Sequence, residues 1–148
     1  MKYQNDAHEA SYKRVHGLMQ ELFGEDAWAD PDNPNFMLQR GSSEVNVTVA
    51  ALEENAVVSV FAWVVAGAKP TEELYKYLLN ENAGFIFGGF ALDDKNNVIY
   101  QHTIVGETVD KQQLRTSIRA VTKVADDYDD TIAERFGGKT AKDAGTPS

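Results

Sequence analysis

Residues 56–66, AVVSVFAWVVA, constrain this chain more than any other stretch. Side chains of a β-strand alternate between the two faces of its sheet. Here Val58, Val60, Ala62 and Val64 make one apolar face, and Val57, Phe61, Trp63 and Val65 make most of the other. A strand that is apolar on both sides needs two covers, one from its own domain and one from something else. The segment is too short for a membrane helix, which takes about 20 apolar residues, and Ser59 interrupts it.

The flanking sequence supplies the rest of a sheet. Residues 36–40 read as a short strand, followed by the turn Gly41-Ser42-Ser43. Val45, Val47, Val49 and Ala51 then alternate with polar or small residues, as a half-buried strand requires. Further on, FIFGGFAL, a turn over residues 93–97, and VIYQHTIV read as another hairpin, with Gly88-Gly89 marking a bulge or a close backbone approach. Three helical patterns surround these strands. The first covers residues 7–23, with Asp6 and Glu9 as a capping box and Tyr12, Val15, Met19 and Leu22 as its apolar stripe. The second runs from Pro70-Thr71 to about Asn82, and the third is capped by Asp110 and Gln113 with Leu114, Ile118, Val121, Ala125, Tyr128 and Ile132 along its core side. The acidic stretch between the first helix and the first strand reads as a loop, with Trp28 as an anchor onto the core. The order is α-β-β-β-α-β-β-α with short strand links. It predicts an α+β fold, an antiparallel sheet of about five strands with helices packed on it. One domain is expected over residues 1–136, and residues 137–148, rich in small and polar side chains, read as a disordered tail.

Composition narrows the function classes. Fourteen Lys and Arg against twenty-three Asp and Glu give a net charge of −9, which disfavours nucleic-acid backbones and anionic membranes. The absence of cysteine removes disulfides, thiolate metal sites and cysteine nucleophiles, and fits a reducing compartment. The charged N-terminal residues lack the apolar core of a secretory signal, so a cytoplasmic protein is expected.

Motifs that carry chemistry are absent. His8-Glu9 begins a helical zinc motif, but Tyr12 stands where the second histidine belongs. The cluster Asp126-Asp127-Tyr128-Asp129-Asp130 lacks the alternation and the glycine of a calcium loop, and reads as a solvated helix face. The glycines at 84, 88 and 89 match no phosphate-binding fingerprint, and no serine elbow is present. No catalytic residue, metal or cofactor is therefore expected. On the last helix Lys111, Arg115, Arg119 and Lys123 precede the acids, the reverse of what the helix dipole prefers; an antiparallel second copy would match bases to acids, but a merely solvated face is the favoured reading.

Leu78-Leu79-Asn80 through Asn82, the Phe-x-Leu-Asp hairpin at Phe90 to Asp93, and the final helix from Leu114 through Ala125-Asp126 to Tyr128 carry a family likeness. The chain resembles the YbjN family and, more distantly, the type III secretion chaperone fold that includes the Tir chaperone. That resemblance implies an antiparallel sheet covered by helices, frequent dimerisation and binding of extended segments of partner proteins. It brings no catalytic residues.

The expected function is a non-enzymatic protein- or peptide-binding module, acting as a homodimer. Phe61, Trp63 and Val65 are the expected binding or dimer face, and Phe36 and Leu38 belong to the expected open edge over residues 36–40. Two other readings stand beside it: a structural or regulatory homodimer with no peptide ligand, and a small enzyme built around His102 and Tyr100. A concave polar pocket at His102 favours the enzyme, and an open apolar sheet face favours binding.

Overall fold

The computed structural model describes residues 1–145. Its elements run α1 (Asp6–Phe23), β1 (Ala27–Ala29), β2 (Asn35–Arg40), β3 (Ser43–Leu52), β4 (Asn55–Ala66), α2 (Glu72–Asn82), β5 (Gly89–Leu92), β6 (Val98–Val105), α3 (Lys111–Phe136), β7 (Lys139–Thr140) and α4 (Ala141–Ala144). A 3-10 turn at Gly24–Asp26 joins α1 to β1. The strands form one antiparallel sheet in the order β1-β2-β3-β4-β6-β5, with β7 paired to the end of β4. The α+β architecture and the central helix-strand order match the expectation. The seven strands among the described residues are the expected five plus β1 and β7.

The helices are held where their caps start them. Asn5, rather than Asp6, caps α1: its Oδ1 accepts from the His8 N–H at 2.7 Å, and its Nδ2 donates to Glu53 O and Asn55 O in the β3–β4 turn. One side chain thus starts the helix and fixes it to the hairpin. Thr71 caps α2, and the predicted Asp110/Gln113 capping box starts α3. From α1, Tyr12, Val15 and Met19, and from α3, Leu114, Ile118, Val121, Ala125 and Ile132, pack with Phe36, Val45, Val47, Val49, Val58, Val60, Val98 and Tyr100 of the sheet. Burying one such aliphatic or aromatic side chain is worth roughly 1.5–3 kcal/mol, so this helix-covered face carries most of the apolar driving force. His8 is buried over β3, with Nε2 2.9 Å from Val49 O and Nδ1 accepting from the Gln4 N–H. Both ring nitrogens are satisfied by backbone, so the residue is structural.

Besides the cap of α1, four local expectations differ from the structure. Trp28 is not a core anchor: β1 pairs with β2, and Trp28 is 53% exposed. Residues 85–88 leave the predicted FIFGGFAL strand, which is confined to Gly89–Leu92. The acidic run on α3 is not a solvated face throughout. Asp126 Oδ1 accepts from the hydroxyls of Ser42 and Ser43 at 2.6 and 2.8 Å, and Asp129, itself buried, accepts from Ser42 at 3.1 Å. These carboxylates dock the β2–β3 turn, whose serines supply donors that a periodicity argument cannot see. Finally, residues 139–144 are not a structureless tail: Thr140 pairs with Val65, Lys139 pairs with Ala66, and α4 follows. Residues 146–148 lie outside the described residues.

Candidate functional site

With α1 and α3 on one face of the sheet, the other face is left without a helical layer among the described residues, apart from α4 at one corner. Strand pairing places Trp28, Met37, Asn46, Phe61 and Gln101 in one row across this open face, and Trp63, Ile99 and Ala91 in the next. Phe61 and Trp63 meet edge to face, with ring centroids 5.2 Å apart and planes at 80°. The Trp63 Nε1–H donates to Asp93 Oδ2 at 3.1 Å, which ties the indole to the β5–β6 turn. Partial burial opposes the charge on Asp93. Hydrogen bonds from Asn97, Trp63 and the Lys95 N–H outweigh it and hold the carboxyl below its usual range. Ala141, Lys142 and Gly145 wall a cavity of about 200 Å³ beside Gln39, Glu44 and Trp63. Between Met37 and Phe61, the Asn46 side-chain nitrogen is buried with no hydrogen-bond partner among the described residues.

Of the residues expected at this site, Phe61 and Trp63 lie together on the open face. Phe36, Leu38 and Val65 do not. Phe36 stacks on Tyr12 at 5.4 Å beneath α1, and both it and Leu38 are buried on the helix-covered side. Val65 turns inward because the β4–β6 register slips between Trp63 and Val65, so Val64 and Val65 are both buried. A single bulge reverses the alternation that the sequence pattern extrapolates. Nor is β2 an open edge, since β1 covers Phe36–Leu38. Sequence reasoning missed Trp28, Met37 and Ile99 as open-face residues. Met37 and Ile99 were visible as the odd members of their strands, but three residues of β1 are too few to show a period.

The concave region at His102 also exists. A cavity of about 530 Å³ lies between β6 and the start of α3, lined by Phe87, His102, Ile104, Asp110, Gln112, Gln113, Thr116 and Ser117. His102 Nδ1 is 2.7 Å from Ser117 Oγ, and burial holds the imidazole below its usual pKa range. Ser117 lines the cavity but is only 1% exposed. No carboxylate orients the imidazole among the described residues, and the pair joins β6 to α3 as a packing contact. Also among the described residues, no group of three His, Asp or Glu side chains is placed to hold a metal ion, and no helix is long and apolar enough to cross a membrane.

Residues 9–144 match the family described as "T3SS (YopN, CesT) and YbjN peptide-binding chaperone 1". The chain belongs to that family. Solved structures of similar fold include a chain of the HopA1–SchA chaperone–effector complex, at 12% identity and a TM-score of 0.63 over 84% of this chain and 98% of that one. A chain of the ExsC–ExsE complex aligns at 15% identity and a TM-score of 0.64, covering 86% of this chain and 96% of that one. YbjN from E. coli aligns at 13% identity and a TM-score of 0.56, covering 81% and 92%. Identities this low show a shared fold. No curated protein matches the chain. The likeness to YbjN and the secretion chaperones, carried in the sequence by Leu78 to Asn82, Phe90 to Asp93 and Leu114 to Tyr128, holds over residues 9–144.

Proposed function

We propose that this chain is a non-enzymatic, homodimeric module of the cytoplasm that binds extended segments of partner proteins on its open sheet face, with Phe61 and Trp63 as anchors. The observation that carries this reading is the aromatic pair itself: two large rings in contact, on a sheet face that among the described residues only α4 reaches, at the corner beside Trp63. Aromatic side chains of this kind dominate interface energetics. The family description names peptide-binding chaperones, and one structural relative was solved as a chaperone–effector complex. The net charge of −9 favours partners with flanking Lys or Arg, mainly through faster encounter that weakens with salt, and disfavours nucleic acid.

Panning a random twelve-residue peptide library on the purified protein supplies ligands for the test. Trp63→Ala should weaken a selected peptide by about tenfold or more, equivalent to roughly 1.4–3 kcal/mol. Far-UV circular dichroism separates this from collapse of the fold. A folded Trp63→Ala protein that keeps full affinity for every selected peptide sinks the assignment of the anchors.

A further inference from the structure

We propose that the C-terminal strap, Lys139 to Gly145, is an internal competitor for the open face: closed, it occupies the corner at Trp63, and a partner segment displaces it to bind. The inference rests on the open-face reading and adds a control built into the same chain. Strand register places the strap's seat on that face. Gln39 pairs with Glu44, and Val45 pairs with Ala62, so the next step along the ladder brings Glu44 level with Trp63. Gln39, Glu44, Trp63 and Ile99 thus form one row of the open face. Ala141, Lys142 and Gly145 wall the cavity beside Gln39, Glu44 and Trp63, so the strap lies against this row. An extended segment anchored on Phe61 and Trp63 would run through the same space.

The strap hangs on a hinge and is held by little. Up to the hinge the chain is fixed: the Gly137 N–H donates to Ala133 O at 2.9 Å, and Phe136 O accepts from the Lys69 N–H at 2.9 Å. Gly137 and Gly138 then have φ +80° and +88°, a backbone that glycine adopts freely and other residues resist. A Cβ at Gly138 would lie 2.4 Å from Ala66 O and 2.7 Å from Ala68 N, so only glycine lets the strap return onto the end of β4. Beyond the hinge it is held by two ladder pairs, Thr140–Val65 and Lys139–Ala66, and by the buried Thr140. No residue of α4 is buried. A segment with so few buried contacts opens locally at a small part of the free energy of global unfolding.

The strap also fits its seat poorly, which gives a partner its advantage. Small side chains such as Ala141 leave a cavity of about 200 Å³ beside Trp63. A partner segment with a branched or aromatic side chain at this point fills that space and gains dispersion contacts that the strap lacks. Lys142 stands in the same wall as the strap's own cation, opposite a row that contains Glu44. The partner that displaces the strap therefore carries a bulky apolar residue next to a lysine. Asp93 holds the Trp63 indole from the side of the β5–β6 turn, so the anchor stays in place when the strap leaves. While the strap is closed part of the time, apparent affinity is the intrinsic affinity reduced by the open fraction.

The probe is a fluorescein-labelled, library-selected peptide whose binding Trp63→Ala weakens, followed by anisotropy with circular dichroism as the check on folding. Truncation after Gly138 should tighten its binding about threefold or more. Ala141→Leu, which fills the cavity and so favours the closed strap, should weaken it by about the same factor. A segment that only supports the fold would weaken binding when removed. Should the truncated chain fail to fold, nuclear magnetic resonance on the unaltered protein reads the same event: the amide signals of Lys139 to Ala144 should move toward random-coil positions as the peptide saturates the face. Equal or weaker binding by the folded truncated chain overturns the proposal, as does equal or tighter binding by Ala141→Leu. Amide signals of Lys139 to Ala144 that stay in place at saturation, or become more protected, also overturn it, by making the segment a bystander or a clamp. A Trp63-dependent peptide indifferent to truncation defeats the strap alone, whereas the lack of any Trp63-dependent peptide defeats the open-face anchors and the strap with them.

Discussion

Burial holds the Asp129 carboxyl above its ordinary range; bonds from the Asp130 N–H and the Ser42 hydroxyl oppose the shift, and the charges of Asp130 and Asp126 add to it. An acid whose pKa is raised by folding binds more protons in the native state, so its ionisation destabilises the fold as pH rises from the unfolded value through the folded one. Above that window the penalty is complete, and below it the penalty is gone. Asn at this position keeps the acceptor for Asp130 N–H and offers Ser42 a donor. Asp129→Asn should therefore raise the melting temperature by about 1–3 °C at pH 7, with the gain vanishing near pH 3. An equal gain at both pH values would place the effect elsewhere than in the charge. Two glycines make an opposite pair. Gly17 sits exposed inside α1 with nothing near its missing Cβ, so Gly17→Ala should stabilise the protein by about 0.5–1 kcal/mol in urea unfolding. Gly88→Ala adds a clash with Gln101 O to a left-handed backbone and should cost about 2 kcal/mol or more.

At the scale of elements, the C-terminal segment gives the sharpest test. β7 extends the sheet at Val65–Ala66, where β3 has already ended, Thr140 is buried, and α4 walls the Trp63 cavity. Truncation after Gly138 should lower the urea midpoint and shift tryptophan emission to longer wavelength as water reaches Trp63. A dispensable tail would leave both unchanged. Composition pointed toward that second outcome, because small polar residues do not announce a two-residue strand. What the sequence made legible is the part governed by period: the stripes of α1 and α3, the alternation of β3, the first ten residues of β4 and the Asp110 cap. What it hid depends on single contacts at long range. The bulge that turns Val65 inward, the Ser42 hydroxyl that meets Asp129, and the β1 strand that closes the edge of β2 leave no periodic trace. At the site, Phe61 and Trp63 were legible because they lie before the bulge, whereas Phe36, Leu38 and Val65 were assigned to a surface and are core.

For the whole molecule, the open face leaves a second apolar area unexplained. Tyr75 and Leu79 lie one turn apart on α2, Ile86 follows in the loop, and Leu79 and Ile86 are 69% and 89% exposed. An apolar area of this kind, rimmed by polar residues, marks an association surface. The charge stripe on α3 is a weaker candidate for self-association. Lys123 is already bound to Asp127 of its own helix at 2.8 Å, Lys111 reaches Glu21 of α1 at 3.6 Å, and exposed ion pairs contribute little. If peptides occupy the sheet, α2 and its following loop are the expected interface of the proposed homodimer. Light scattering at micromolar concentration should then give about twice the 16.4 kDa chain mass. The double variant Leu79→Glu with Ile86→Glu should be monomeric while keeping its affinity for selected peptides, because two like charges facing each other across a twofold axis cost several kcal/mol. A monomeric wild type at high concentration removes the homodimer. A dimer that survives this double variant but dissociates in Trp63→Ala assigns the open face to self-association.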